Sequence, residues 1–280
     1  MRINIMKSAA TLLALAGMIA VTACDHVAAD DRYIDMGEIK AERAVLLEDF
    51  TGQDCSNCPN AHEAIEELEA QYGRDKVIAV SIHCGGLAIS TEDTDFDDGY
   101  VGLMTRQGNR FMMAYGITQW PMGVVNGGSP LDWQQWADAV RTALAETTDI
   151  SLKLDVAFDR EASDNGTIKM TAHVMSTEAQ KANIQFWVTE NKIVADQKLP
   201  SGQVNKEYVH NNVFRAAVYN SQKGEEIELG ADFEQTFDAE LDCRWSDTEH
   251  WVPENLEVIC FVSNDKGVQQ VVRVPVVIAE

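Results

Sequence analysis

Basic side chains are scarce in this sequence: 22 Lys and Arg residues stand against 45 Asp and Glu residues, a formal net charge of −23. No run of Lys or Arg occurs anywhere in the chain. Binding to a phosphate backbone requires a clustered positive surface. We therefore expect no nucleic-acid partner for this protein.

Long hydrophobic runs are also missing. The main apolar run, residues 9–23, is short for a transmembrane helix and follows the basic residues Arg2 and Lys7. This pattern predicts a secretory signal peptide over residues 1–23. The tetrapeptide Val21-Thr22-Ala23-Cys24 resembles the lipobox of bacterial lipoproteins, so we expect a lipid on Cys24 that anchors the protein to a membrane. An ordinary signal peptide with an incidental cysteine is the alternative.

Cysteine is sparse too, and the five cysteines after Cys24 are an odd number, which leaves at least one thiol free or bonded to another chain. Two residues separate Cys55 from Cys58, so the first turn of a helix would bring both sulfurs close enough for a disulfide. Disulfides persist in exported proteins. The amides at a helix N-terminus favour negative charge, which predicts that Cys55 is a better nucleophile than an ordinary cysteine.

The residues around this pair predict a strand–helix–strand unit. Val45 to Phe50 is an apolar stretch of strand length, a helix with Pro59 in its first turn ends at Gly73, and Val77 to Ile82 is a second buried strand. We expect the two strands to be parallel and joined by a right-handed crossover.

The hydrophobic period divides the remaining chain. Residues 24–43 are acidic and aperiodic and are interpreted as a tether, while residues 44–146 are assigned to an α/β domain that a helix from Asp132 to Glu146 closes. From residue 147 the period becomes two, which predicts an all-β, immunoglobulin-like sandwich over residues 147–280. The alternating segments are 150–158, 168–174, 184–188, 237–243 and 256–262, and an apolar strand follows at 271–278.

The α/β segment resembles thioredoxin-like proteins over roughly 100 residues, through two separate motifs. Asp49-Phe50 precedes Cys55 with the thioredoxin spacing, and Tyr115 to Pro121 resembles the segment that carries the cis-proline of that fold. The resemblance implies that Asp49 is buried beneath the disulfide and accepts the proton of Cys58. It also implies that the Trp120–Pro121 peptide is cis and positions a substrate backbone, with no cofactor and no metal ion.

Two departures from the thioredoxin pattern affect the expected chemistry. Asp54 replaces the usual tryptophan before the first cysteine, and Ser56-Asn57 replaces Gly-Pro between the cysteines. An acidic neighbour opposes the helix-end effect on Cys55, so we expect a reducing or weakly active couple and not a strong oxidant.

The whole chain resembles a Bacteroidetes lipoprotein family, the twenty-eight-kilodalton outer-membrane proteins, which join a thioredoxin-like domain to a β-sandwich. The match includes residues 47–52, the two cysteines of the Cys-x-x-Cys pair, the Trp120–Pro121 loop that leads to Asn126, and residues 208–217. The resemblance implies a location in the cell envelope, with the outer membrane as the expected membrane.

Other chemistries for Cys55 and Cys58 stay open from the sequence alone. The pair could be a permanent structural disulfide, or part of a zinc site completed by His62 and either His83 or Cys84. Cys84 itself is either a resolving thiol or a small residue of the core.

Three further questions are left open by the sequence. Cys243 and Cys260 both occupy the apolar phase of their strands, so a structural disulfide and two buried thiols are equally compatible with the pattern. His210 and Arg215 are either a binding site or locally satisfied polar groups. Asp49 would be a surface acid if its strand ended early.

The expected function is thiol–disulfide exchange on the thiols or disulfides of envelope proteins. Cys55 attacks a substrate disulfide, Cys58 resolves the mixed disulfide while Asp49 accepts its proton, and a redox partner resets the pair. The alternative is a surface binding or adhesion lipoprotein whose disulfide is only structural. A Cys55 sulfur buried away from any groove would favour that alternative.

Overall fold

The computed structural model describes residues 41–160, 166–243, 246 and 249–277. The expected signal peptide, the acylation site Cys24 and the tether up to residue 40 lie outside these residues. Arg43 is buried, and its guanidinium contacts the Glu146 carboxylate and donates to the Val268 carbonyl oxygen. The predicted tether therefore does not extend to residue 43, because the fold has already begun at β1.

Strands and helices alternate in the first part of the described chain. From residue 147 onward the described elements are strands, apart from one short helical turn. In chain order the elements are β1 (Ala41–Glu42), β2 (Val45–Thr51), α1 (Cys58–Tyr72), β3 (Val77–His83), α2 (Arg106–Tyr115), β4 (Met122–Val125), α3 (Trp136–Leu144), β5 (Thr147–Thr148), β6 (Ile150–Arg160), β7 (Gly166–Ser176), β8 (Gln180–Glu190), β9 (Ile193–Lys198), β10 (Val204–His210), β11 (Val213–Ala217), β12 (Glu225–Leu229), β13 (Glu234–Cys243), β14 (Leu256–Asn264) and β15 (Gly267–Pro275).

The predicted strand–helix–strand unit is confirmed. β2 and β3 are parallel and pair from Val45↔Val77 to Thr51↔His83. Pro59 lies in the first turn of helix α1, where its missing N–H would have no partner within the helix. The helix is capped at its C-terminus by Gly73, whose φ of 94° suits a residue without a Cβ. Its buried side chains recur at helical spacing, at positions 58, 61, 65 and 68.

One large sheet contains strands from both predicted domains. Its order is β15-β14-β8-β11-β3-β2-β4, and β12 also pairs with β8. The junction is formed by β11, where Val213 pairs in parallel with Ser81 and the Ser81 amide donates to the Asn212 carbonyl oxygen at 2.8 Å. The described residues consequently belong to one compact unit. The predicted boundary at 146/147 separates two patterns in the sequence but not two units of the fold.

Three large apolar clusters and one small one, around Leu103, Ala195 and Val213, fill the described part of the chain. The first lies between β2, β3 and the helices α1 and α3, and the second lies on the opposite face of the sheet, under α2. The third fills the predicted sandwich, between the large sheet and a three-stranded sheet of order β13-β7-β6. In β14 the side chains of Val258 and Val262 face the sandwich, whereas Ile259 and Phe261 face α2. Both faces of this strand are therefore buried.

Cys243 and Cys260 both lie in the sandwich cluster, as their strand phase predicted. No disulfide joins them in the described residues, where the bond between Cys55 and Cys58 is the one disulfide. Cys243 belongs to the three-stranded sheet and Cys260 to the large sheet, and burial raises the pKa of the Cys260 thiol. Of the two alternatives that the sequence left open, the described structure has two buried cysteines that are not bonded to each other.

Candidate functional site

The Cys55–Cys58 disulfide is held in a tight turn between β2 and α1. The two Cα atoms are 5.4 Å apart, and the Cys58 amide, the first of α1, donates to the Cys55 carbonyl oxygen at 3.3 Å. The turn packs against a neighbouring loop, since a Cβ on Gly52 would lie 2.4 Å from the Leu87 carbonyl oxygen. Glycine at position 52 thus permits the close approach of two backbones beside the disulfide.

Asp49 lies under the first part of α1, as its spacing to Cys55 predicted. Side chains alternate along β2, so Asp49 shares the α1 face with Val45 and Leu47. It is 0% exposed, and its Oδ2 is 3.6 Å from Nε2 of His62, which follows Cys58 by one helical turn. Burial raises the pKa of Asp49 to about 8, a rise that the Ser81 hydroxyl opposes. The carboxyl is therefore mostly protonated at neutral pH.

His62 connects Asp49 to the half-buried Tyr208. Its Nε2 is 3.0 Å from Oγ1 of Thr51, and its Nδ1 is 2.9 Å from the hydroxyl of Tyr208. Burial lowers the pKa of His62 to about 4, so the imidazole is neutral at neutral pH. The contact between Asp49 and His62 is consequently a contact of two uncharged groups and not an ion pair.

Two more buried histidines extend this polar cluster. The rings of His83 and His210 are 5.2 Å apart, and the ring of His210 is 6.3 Å from that of His62. Burial lowers the pKa of His210 to about 3 and holds that of His83 well below its usual range. All three line a cavity of about 30 Å³, which has room for one or two water molecules. The site is thus a polar region inside an otherwise apolar layer.

A two-stranded hairpin, β9–β10, covers the disulfide. Gln197 of β9 is fully buried and donates from Nε2 to the Cys55 carbonyl oxygen at 3.0 Å, and the Lys198 amide donates to the Gln53 carbonyl oxygen at 2.7 Å. Cys58 is 0% exposed and Cys55 only 4%. This cover is not predictable from the sequence pattern, because β9 and β10 lack the strong alternation that identified the other strands.

The Trp120–Pro121 peptide is cis, as predicted. The Trp120 indole does not point freely to solvent: its Nε1 donates to the Cys84 sulfur at 3.3 Å. Cys84 is buried in the cluster under α2, and burial raises the pKa of its thiol to about 12. These contacts favour the core role for Cys84 and give no support to a resolving thiol.

The structure also bears on two possibilities that the sequence left open: a zinc site at Cys55 and Cys58, and a binding site at His210 and Arg215. The sulfurs of Cys55 and Cys58 are bonded to each other, and no group of three His, Cys, Asp or Glu residues in the described ranges is arranged to hold a metal ion. Arg215 forms a buried ion pair with Glu190 and lies over the Trp251 ring, while His210 joins the histidine cluster. The contacts of Gln197 and Tyr208 cannot be predicted from the sequence, since both depend on where the hairpin docks.

Comparison with known proteins identifies the family. Residues 108–279, more than half of the chain, match the family described as outer membrane protein Omp28. The chain belongs to the Omp28 family. This membership places the protein in the outer membrane envelope, as expected from the sequence. No curated protein matches the chain.

Two solved structures from Porphyromonas gingivalis are similar to this Omp28-family chain. HBP35 matches with a TM-score of 0.60 and 18% identity, over 84% of this chain and 76% of that one, which shows a shared fold. A domain of the outer membrane lipoprotein Omp28 matches with a TM-score of 0.33 and 18% identity, over 47% of this chain and 99% of that one. None of the helices in the described part of the chain combines the length and hydrophobicity needed to cross a bilayer.

Proposed function

We propose that this Omp28-family protein is a lipid-anchored, thioredoxin-like thiol–disulfide oxidoreductase of the envelope. The observation that carries the proposal is the buried carboxyl of Asp49, which lies beneath α1 and contacts His62. His62 follows Cys58 by one turn of that helix. A carboxyl with a pKa of about 8 is close to a thiol in acidity, so it exchanges a proton with Cys58 at little cost. A disulfide that only braces the fold has no need of a buried acid.

The proposed reaction needs no cofactor. In the reduced protein the Cys55 thiolate attacks one sulfur of a substrate disulfide, and the other substrate sulfur leaves as a thiolate that takes a proton from solvent. Cys58 then transfers its proton to ionised Asp49, and its thiolate attacks the sulfur of Cys55. This breaks the mixed disulfide, forms the Cys55–Cys58 disulfide and releases the second substrate sulfur as a thiolate that takes a proton from solvent. A dithiol reductant in the envelope returns the pair to the reduced state.

The partners follow from the same proposal. Substrates are envelope proteins with thiols or disulfides, and the cis Trp120–Pro121 segment offers backbone groups to an extended substrate chain. Acylation of Cys24 would hold the protein at the membrane. Asp54 is exposed beside Cys55 and opposes the stabilisation of a thiolate by the end of α1, which favours the reducing direction.

A second candidate function is a binding lipoprotein with a structural disulfide, and the hairpin favours it. Cys55 is 4% exposed beneath β9, so exchange requires the hairpin to move away from the disulfide. The hairpin also presents an exposed apolar pair, Val194 and Val209, which face each other across β9 and β10. Under this candidate the hairpin contributes to a recognition surface and stays closed over the disulfide.

Redox titration and substrate trapping separate the two candidates. The Cys55–Cys58 couple is equilibrated with glutathione buffers, and the Cys58→Ala variant is expressed in the envelope, where its mixed disulfides accumulate. Cys55→Ala is the matched control, since it keeps Cys58 of the pair but removes the cysteine that initiates exchange. If the protein catalyses thiol–disulfide exchange, the Cys55–Cys58 disulfide should be reduced within the range of potentials that glutathione buffers span. Mixed disulfides with envelope proteins should accumulate on Cys58→Ala and not on Cys55→Ala. A pair that stays oxidised under strongly reducing conditions, with no trapped protein, would refute the enzyme proposal and favour the binding lipoprotein.

A further inference from the structure

A second cavity lies on the face of the large sheet opposite the disulfide site. It has a volume of about 220 Å³ and is bounded by β2, α2 and the turn between β14 and β15. Glu48 of β2 is in phase with Leu46 and Phe50, so it points to the α2 side, whereas Asp49 points to the α1 side. The proposed exchange reaction uses no residue of this cavity.

Two buried polar side chains in this cavity have unused hydrogen-bonding capacity. Glu48 is 2% exposed; its Oε1 accepts a hydrogen bond from the Tyr115 hydroxyl at 2.7 Å, but its Oε2 has no partner in the described residues. Ser263 is 6% exposed, and its hydroxyl also lacks a partner among those residues. Buried polar groups are nearly always satisfied, so this arrangement points to a ligand that completes them.

The rest of the lining indicates the charge and shape of that ligand. Tyr115 and Phe261 provide aromatic walls and Val268 an aliphatic one, which suits a short hydrocarbon chain. Aromatic faces also attract cations, and an ammonium group has three donors for acceptors such as a carboxylate and a hydroxyl. A Ca²⁺ or Mg²⁺ ion would need more oxygen ligands, and the described residues contain no cluster able to hold a metal.

We propose that this cavity binds a small ligand with a primary ammonium group, which donates to Oε2 of Glu48 and the hydroxyl of Ser263. The volume accommodates an amine with a short aliphatic chain. The strongly negative net charge of the protein attracts cations toward the cavity. Lys223 and Asp265 are exposed on the cavity lining. Lys223 repels a second ammonium group on the same ligand, whereas Asp265 attracts one.

Proton release accompanies this binding. Burial raises the pKa of Glu48 to about 8, a rise that the Tyr115 hydrogen bond opposes. The charged and titratable groups around it are Tyr115 from α2, Lys223 from the loop before β12, and Asp265 from the β14–β15 turn. An ammonium group favours the ionised carboxylate, so binding at pH 7 transfers the Glu48 proton to the buffer.

Isothermal titration calorimetry on the full-length protein tests the site with n-butylammonium and its neutral counterpart n-butanol. We expect saturable binding of n-butylammonium, no binding of n-butanol, and a heat that differs between phosphate and MOPS buffers at pH 7 because a proton is released; neither buffer carries a primary ammonium group. Glu48→Gln should weaken binding about 10-fold, because a hydrogen bond to a charged group is lost. Lys223→Met, the control at the cavity lining, should bind at least as tightly as the wild type.

Circular dichroism shows whether each variant folds. If Glu48→Gln does not fold, Ser263→Ala replaces it and should weaken binding about threefold, because the hydrogen bond from the ammonium group to an uncharged acceptor is lost. The proposal is overturned if n-butylammonium gives no saturable heat, if n-butanol binds equally well, or if the folded Glu48→Gln variant retains wild-type affinity. An absent buffer dependence would likewise exclude Glu48 as the group that meets the ammonium.

Discussion

Replacing Asp49 with Asn should make folding stability less dependent on pH above neutrality. Asp49 is fully buried, and burial raises its pKa to about 8, whereas an unfolded aspartate has a pKa of about 3.9. A carboxyl whose pKa is raised on folding keeps its proton in the folded state after the unfolded state has lost it. Stability therefore falls as the pH rises from the unfolded pKa to the folded pKa. Asparagine is isosteric and cannot ionise.

The useful pH window is set by the three buried histidines. Burial lowers the pKa of His62 to about 4 and of His210 to about 3, and that of His83 lies well below its usual range. Below pH of about 6.5 the unfolded histidines bind protons that the folded ones do not, so there the histidines make stability rise with pH. Between pH 6.5 and 8 each unfolded histidine loses its remaining half proton, so each histidine opposes the loss from the buried carboxyls by only about 0.4 kcal/mol.

The magnitude in that window follows from linkage. A single carboxyl with a folded pKa of about 8 costs about 1.6 kcal/mol of stability between pH 6.5 and 8. Glu48, on the opposite face of β2, has its pKa raised to about 8 by burial and contributes a similar loss. The wild type should therefore lose about 3 kcal/mol from the two groups, and Asp49→Asn about half of that.

Urea denaturation at pH 6.5, 7.2 and 8.0 measures this difference directly. Glu48→Gln should remove the other half of the pH dependence, and the double variant should remove nearly all of it. Asp54→Asn is the matched control, because it neutralises an exposed acid beside the same disulfide and should leave the wild-type profile unchanged. If Asp49→Asn instead follows the wild-type profile, the pKa of Asp49 is not raised in the folded protein, and the argument that its acidity is close to that of a thiol fails.

Other substitutions test the cover, the shared core and the packing. Gln197→Ala removes the hydrogen bond that holds β9 to Cys55, so dithiothreitol should reduce the disulfide several-fold faster; an unchanged rate would mean that the cover does not control access. Phe111→Ala should cost about 3–5 kcal/mol while unfolding stays a single transition, because α2 packs on strands from both parts of the chain; two calorimetric transitions would contradict the shared core. Gly123→Ala places a Cβ 2.3 Å from the Trp136 ring and should lower stability by about 1–3 kcal/mol in urea denaturation, whereas a neutral result would show that Trp136 can move.

Local features of the sequence were enough to predict the strand–helix–strand unit and the position of the disulfide. Pro59 and Gly73 mark the start and end of α1, and the apolar run from Val45 fixes β2 next to the Cys-x-x-Cys pair. The period of two likewise predicted the long strands of the sandwich. These predictions succeeded because capping, proline geometry and side-chain periodicity act between residues that are close in sequence.

Tertiary structure alone decided how these elements combine. Whether β11 pairs with β3 depends on contacts between residues far apart in the chain. Apolar residues in both phases of β14, such as Ile259 and Phe261 beside Val258 and Val262, are a sign of a sheet that is buried on both faces. Sequence also placed Asp49 near the disulfide, but its contact with His62 and the cover by Gln197 arise only when α1 and the hairpin dock. Burial, which sets both the pKa of the acid and the access to the sulfurs, is a property of that docking and not of any local pattern.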